Sequence, residues 1–227
     1  MKSGVFTQQG LIGCYEVDMP SKKQTEVLVR TLRSSICGSD LHVGYYGWGV
    51  DEFPLPPGSP GHESVCEVVD GEGTNYNENQ LVLAVPIISE ARSFSQYQVI
   101  GESQLLRIDK NISINEILMA QQLGTVIFAI RKLAKLVGKS VVIIGQGSAG
   151  LFHTFMCKRL NAGNIIAVEP VGGRCRISKE LGADIVINSK DEHAQESVIE
   201  ITDGIGSDVV IDAVGSVETL NQAIQIA

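Results

Sequence analysis

At 227 residues, 44% apolar and 19% charged, the chain has room for one large or two small domains and an ample core, which excludes a disordered or fibrous protein. A formal charge of −8 with no Lys/Arg cluster excludes a nucleic-acid or anionic-membrane surface as the expected partner. The start, MKSGVFTQQG, lacks a signal peptide's apolar core, no apolar run approaches a membrane span, and five scattered cysteines without a C-x-x-C pair suit a reducing cytoplasm.

The first hundred residues read as short strands between turns: Val5–Thr7, Leu11–Val17, Glu26–Leu32, Ser64–Val69, Gln80–Val85 and Ser95–Ile100. Between Cys37 and Gly61 the pattern gives way to Gly, Pro, Tyr and Trp with little periodicity. Long irregular segments are functional or disordered, and Tyr45, Tyr46 and Trp48 weigh against disorder. From Ile114 the period turns helical. Asn115 is the expected cap of a stretch ending at Gly138, with Arg131, Lys132 and Lys135 near its C-terminus, and Gly124 predicts a break into two helices. Strand and helix then alternate. Val141–Ile144, Ile165–Val168, Ile185–Ile187 and Val209–Ala213 precede helices from Ala149, over Arg174–Leu181, near Ala194–Thr202 and from Val217. Alternation at this interval predicts βαβ units and a parallel sheet.

Lys139 to Gly150, KSVVIIGQGSAG, organises this second half. An apolar strand breaks at Gly145, and Gly145, Gly147 and Gly150 follow at the spacing G-x-G-x-x-G before a helix. Gly145 makes the tight turn, Gly147 leaves no side chain between backbone and phosphate, and Gly150 lets the helix lie close on the strand. The helix N-terminus at Ser148, Ala149 and Gly150 then faces the pyrophosphate of a dinucleotide. Glu169 ends the next apolar run, nineteen residues past Gly150. A carboxylate there accepts hydrogen bonds from adenosine ribose hydroxyls and repels a 2′-phosphate, so NAD rather than NADP is expected. The 89 residues from Lys139 to Ala227 hold four strands, whereas a doubly wound dinucleotide fold has about six. The chain therefore reads as C-terminally truncated.

In the irregular segment, Cys37-Gly-Ser-Asp-Leu-His42 opens and Gly61-His62-Glu63 closes one stretch. A thiolate, an imidazole and a carboxylate suit a zinc site. Yet a Cys and a His 25 residues apart lack local metal spacing, and each taken singly suits a core position equally. Ser39 and Asp40 alone suit a helix cap, His42 a surface position, and Arg174 a solvated one. His153, His193 and Cys157 read as structural.

C-G-S-D-x-H, then P-G-H-E, then the glycine loop, with LGAD (181–184) and DVVIDAVG (208–215), resemble the zinc-dependent medium-chain dehydrogenase/reductase family from Val5 onward. That family includes alcohol, polyol, threonine and sugar dehydrogenases. The resemblance implies a GroES-like β-rich catalytic domain (1–125) followed by a partial Rossmann, doubly wound domain (126–227). It implies zinc- and NAD-dependent hydride transfer from an alcohol, polyol or sugar hydroxyl, and a homo-oligomer when full length. Cys37 and His62 match catalytic zinc ligands, and Glu63 a carboxylate on or just behind the metal. Ser39 matches the hydroxyl taking the substrate's proton, His42 the outer end of the relay, and Asp40 a carboxylate orienting His62. Gln122 falls at a further ligand position, Arg174 where a basic residue touches the adenosine ribose, and Tyr45, Tyr46 and Trp48 in the substrate loop. PIISEARSF (86–94) replaces the four-cysteine lobe of many members, so one catalytic zinc and no structural zinc is expected. The family's Gly-Asp-Arg-Val turn appears as Asn79-Gln80-Leu81-Val82. The alternatives are a zinc-free quinone or enoyl reductase of the same superfamily, and a catalytically inactive NAD-binding protein.

Overall fold

The computed structural model describes residues 1–109, 111–133, 135–190 and 193–227, in two compact units, Met1–Gln121 and Gln122–Ala227. In the first unit, β1 (Lys2–Gln8) and β2 (Leu11–Glu16) form an antiparallel hairpin. A five-stranded antiparallel sheet has β6 (Tyr97–Gly101), β3 (Glu26–Ser34), β4 (Ser64–Asp70), β5 (Leu81–Ala84) and β7 (Leu105–Arg107) in that order. Side chains alternate across a strand, so Val27, Val29, Cys66, Val68 and Val82 share one buried face. On the other face, Val65 and Leu83 pack on Ile117 and Leu118.

Two elements depart from the sequence reading here. The segment after Cys37 holds a short helix, α1 (Gly38–Gly44). Seven residues that begin and end in glycine carry too few apolar positions to show a helical period. The three residues of β7 are likewise too few to alternate.

The linking segment also differs. A single helix, α2 (Ile114–Ile130), runs through Gly124 without a break. Glycine in a helix interior costs only about 1 kcal/mol relative to alanine, and the buried Ile117, Leu118, Val126 and Ile130 on either side offset that. Its first carbonyl acceptor is Ser113, which takes the N–H of Ile117 at 3.0 Å, so Ser113 rather than Asn115 stands at the cap. The helix ends at Ile130 in a tighter turn, Leu133 N–H donating to Ile130 O at 3.0 Å, and does not reach Gly138.

In the second unit, β8 (Val141–Ile144), β9 (Ile165–Val168), β10 (Ile185–Ile187) and β11 (Val209–Asp212) form a parallel sheet in the order β10-β9-β8-β11. The helices between and after them are α3 (Ser148–Arg159), α4 (Gly172–Glu180), α5 (Ala194–Ile201) and α6 (Val217–Gln225). Strands covered on both faces read as unbroken apolar runs. Val141, Ile143, Ile165 and Ala167 enter one core layer, while Val142, Ile144, Ile166 and Val168 enter the other. This is the first part of a doubly wound order, whose direction reverses between β8 and β11.

An added Cβ at Gly124 meets no atom within 4 Å. Gly124→Ala is therefore expected to raise stability by about 0.5–1 kcal/mol, read as a higher urea midpoint at unchanged m-value.

Candidate functional site

The metal cluster is assembled from two chain segments that β3 and β4 bring side by side. Ser34 at the end of β3 pairs with Ser64 at the start of β4. Cys37 and Glu63 lie just outside that pair, on the two strands' open ends. Gly61 fits against Ser93 and Phe94 so closely that a Cβ would stand 2.5 Å from Ser93 Oγ, and Ser93 N–H donates to Gly61 O at 2.8 Å. That contact delivers His62 and Glu63 to the head of β4.

Donor atoms of Cys37, His62 and Glu63 all lie within 4.8 Å of one another, and no other such group of His, Cys, Asp and Glu occurs among the described residues. His62 Nε2 and Glu63 Oε1 are 3.9 Å apart. A tetrahedral zinc with bonds of about 2.0–2.3 Å separates its donors by roughly 3.3–3.8 Å, so the set closes on an ion with small movements. Asp40 uses one oxygen for each segment. Its Oδ2 accepts the Cys37 backbone N–H at 2.8 Å, and its Oδ1 accepts His62 Nδ1–H at 3.0 Å. With Nδ1 so engaged, Nε2 is the ring atom left to face the donors. Ser35 Oγ donates to Glu63 Oε2, leaving Oε1 toward His62.

Asp40 and Glu63 are 2% and 3% exposed, so the cluster sits where charge must be compensated. The hydrogen bond to Asp40, then the one to Cys37, raise the pKa of His62 to about 10 despite burial. The Cys37 thiol is in turn held below its ordinary value, by His62 first and then by the Ser39 hydroxyl and backbone N–H, against burial and Glu63. A site that favours positive charge at an imidazole and negative charge at a sulfur suits a divalent cation. The donor set fits zinc.

Ser39 and His42 lie on α1. His42 stacks on Trp48 with ring centroids 4.3 Å apart and 25° between planes, and Trp48 N–H donates to His42 O at 2.9 Å. Tyr45, Tyr46 and Trp48 are all more than half exposed. Gln122 lies on α2, in the second unit.

In that unit, a cleft of about 660 Å³ opens at the carboxyl ends of β8, β9 and β11, lined by Gly145, Gly147, Glu169, Arg174, His193 and Thr219 among others. Ligands of open α/β sheets bind at such a reversal of strand order. Each glycine meets a separate demand. Gly145 has φ +85°, a Cβ on Gly150 would lie 1.9 Å from Gly145 O, and Gly147 faces open space. Ser148 and Ala149 open α3 beside them. The cradle fits a dinucleotide's pyrophosphate.

Glu169 is turned further inward than its sequence reading implies, at 2% exposed. Its Oε2 accepts Gln146 N–H at 2.6 Å and its Oε1 accepts Val171 N–H at 3.0 Å. Arg174 Nη1 stands 3.6 Å from Oε1, against the carboxylate. Cys157 is buried in the core, where burial pushes its thiol up to about 11. His153 is buried on α3 and its pKa is lowered for the same reason. His193 stands at the head of α5 on the cleft wall.

Ser35 and Gln146 escaped sequence reasoning. A serine two residues before Cys37 and the variable position within the glycine motif carry no pattern of their own, and only the fold shows what they hold.

Residues 23–112 match the model of the alcohol dehydrogenase GroES-like domain, and residues 149–227 that of the zinc-binding dehydrogenase. L-threonine 3-dehydrogenase of Pyrococcus furiosus is 30% identical over 236 residues, 92% of this chain and 68% of that protein. Sorbitol dehydrogenase of Halalkalibacterium halodurans is 27% identical over 258 residues, covering 100% and 74%. The alcohol dehydrogenase TADH of a Thermus species superposes with a TM-score of 0.86 at 26% identity, over 100% of this chain and 74% of that one. The chain belongs to the zinc-dependent medium-chain dehydrogenase family.

Asp40→Asn is expected to weaken zinc binding by about 10- to 100-fold while leaving the stoichiometry at saturation unchanged, measured by chelator competition. Below about pH 10 the His62 ring carries a proton that a metal must displace. At pH 8, zinc binding should therefore release at least about one proton, and affinity should fall as pH falls. Calorimetry in two buffers of different ionisation enthalpy reads that number.

Proposed function

We propose that this protein oxidises a secondary alcohol, polyol or sugar hydroxyl, or reduces the corresponding carbonyl, using one zinc ion and NAD. The observation carrying this reading is the convergence of Cys37, His62 and Glu63 with Asp40 behind His62. Three donors of the types zinc prefers, brought from two segments with the second atoms of His62 and Glu63 already occupied, are poorly explained as core packing. Residues 1–125 are assigned the metal and substrate, and residues 126–227 the cofactor.

In this assignment Cys37, His62 and Glu63 hold zinc. Bound zinc supplies Lewis acidity at the substrate oxygen, and bound NAD accepts the hydride. The protein's own part is to move a proton. Ser39 takes it from the substrate hydroxyl, and His42, held flat against Trp48, passes it outward. Tyr45, Tyr46 and Trp48 wall the substrate side. Gly145, Gly147, Ser148, Ala149 and Gly150 take the pyrophosphate, and Glu169 and Arg174 flank the adenosine ribose. A homo-oligomer is assigned to the full-length protein. Five scattered cysteines without a C-x-x-C pair support a cytoplasmic setting.

Native mass spectrometry of the chain and of Cys37→Ser tests the metal assignment. One zinc per chain, absent from the variant, is expected; a folded wild type without zinc overturns the reading. With secondary alcohols and polyols as substrates, Ser39→Ala should lower NADH formation by about 10²- to 10⁴-fold at unchanged zinc content.

A further inference from the structure

The amide of Gln146 occupies a place that neither the metal nor the pyrophosphate requires. It sits between two glycines that must stay small, yet its own side chain is wholly buried, at 0% exposed. Its Oε1 accepts hydrogen bonds from Thr154 Oγ1 on α3 at 2.8 Å and from Ser178 Oγ on α4 at 3.0 Å. Its Nε2 donates to Ile143 O on β8 at 3.4 Å. Its backbone N–H is the donor to Glu169 Oε2 at 2.6 Å. One residue thus ties β8, α3 and α4 together and fixes the carboxylate at the end of β9.

We propose that Gln146 is a positioning residue for cofactor choice, pinning Glu169 so that the adenosine site accepts a ribose 2′-hydroxyl and rejects a 2′-phosphate. The inference rests on the NAD reading above and deepens it. A carboxylate discriminates against a phosphate only if it cannot swing aside. Glu169 accepts two backbone N–H groups while nearly fully buried, so moving it strands both donors. The Gln146 N–H keeps its aim because the side chain of the same residue is held at three points. Arg174 is half-exposed, with Nη1 3.6 Å from Glu169 Oε1, so its charge faces the same carboxylate. Exclusion of the wrong cofactor therefore depends on a buried amide under the loop as much as on the acid itself.

Gln146→Leu removes the amide at similar volume. The two hydroxyls it releases keep other acceptors, Gly150 O for Thr154 at 3.1 Å and Arg174 O for Ser178 at 2.9 Å, so the variant should fold. Dissociation constants of NADH and NADPH are measured on the purified chain by calorimetry, with a circular dichroism melt to establish folding. The wild type should prefer NADH by tenfold or more. In Gln146→Leu the preference should shrink to threefold or less, and Ser178→Ala, which cuts only the α4 tie, should move it the same way by a smaller factor. Equal weakening of both cofactors, leaving the ratio unchanged, assigns Gln146 a purely structural role and overturns the inference. Should Gln146→Leu fail to fold, the ratio in Ser178→Ala decides, an unchanged value overturning it. A wild type that binds neither cofactor, or prefers NADPH, overturns the NAD reading itself.

Discussion

Asp40 is the carboxylate on which the metal cluster depends. Its two oxygens accept a backbone N–H from Cys37 and a ring N–H from His62, one from each of the two segments that β3 and β4 bring together. The first bond holds the turn that starts α1 and so aims the sulfur. The second chooses the tautomer of the imidazole and so aims its other nitrogen. Because Asp40 is itself 2% exposed, neither bond competes with water. Removing the carboxylate frees both donors at once, which is why the geometry of Cys37 and His62 cannot be treated as two independent placements.

The second unit solves a similar problem with the same device. Glu169, also 2% exposed, spends one oxygen on Gln146 N–H and the other on Val171 N–H. A carboxylate with backbone donors on both oxygens loses almost no further entropy when a ligand arrives. In each unit, then, an acid placed just behind the reacting or binding groups ties two parts of the chain together, Asp40 through one backbone N–H and one imidazole, Glu169 through two backbone N–H groups. The residues that meet zinc or cofactor can be small or mobile because these anchors are not. Gly147 has open space in front of it, and Cys37 is only half-buried.

Much of this was legible in the sequence, for identifiable reasons. Strands covered on both faces must be apolar throughout, so Val141–Ile144 and Ile165–Val168 announce themselves with correct ends. A positive φ requires glycine at 145 and a steric limit requires it at 150, while Gly147 leaves open space in front of the backbone. The approach of Cys37 to His62 was visible only through a family pattern, since the contact is made by strand pairing across 25 residues rather than by a local turn. Helix α1 was hidden because seven residues that begin and end in glycine show no period. The unbroken α2 was misread because propensity at Gly124 is a local term, and the packing of Ile117, Leu118, Val126 and Ile130 outweighs it. Ser35 and Gln146 were beyond reach, as their partners are set by tertiary contacts alone.

The stack between His42 and Trp48 has one more consequence. The chain contains a single tryptophan, so its whole indole emission arises from a ring lying 4.3 Å above an imidazole on the helix that begins at Cys37. The molecule's only tryptophan thus stands against the helix that begins just after Cys37. A shift of α1 changes the surroundings of that one indole with no background from another tryptophan. The protein carries its own optical reporter, aimed at the place where the chemistry is assigned.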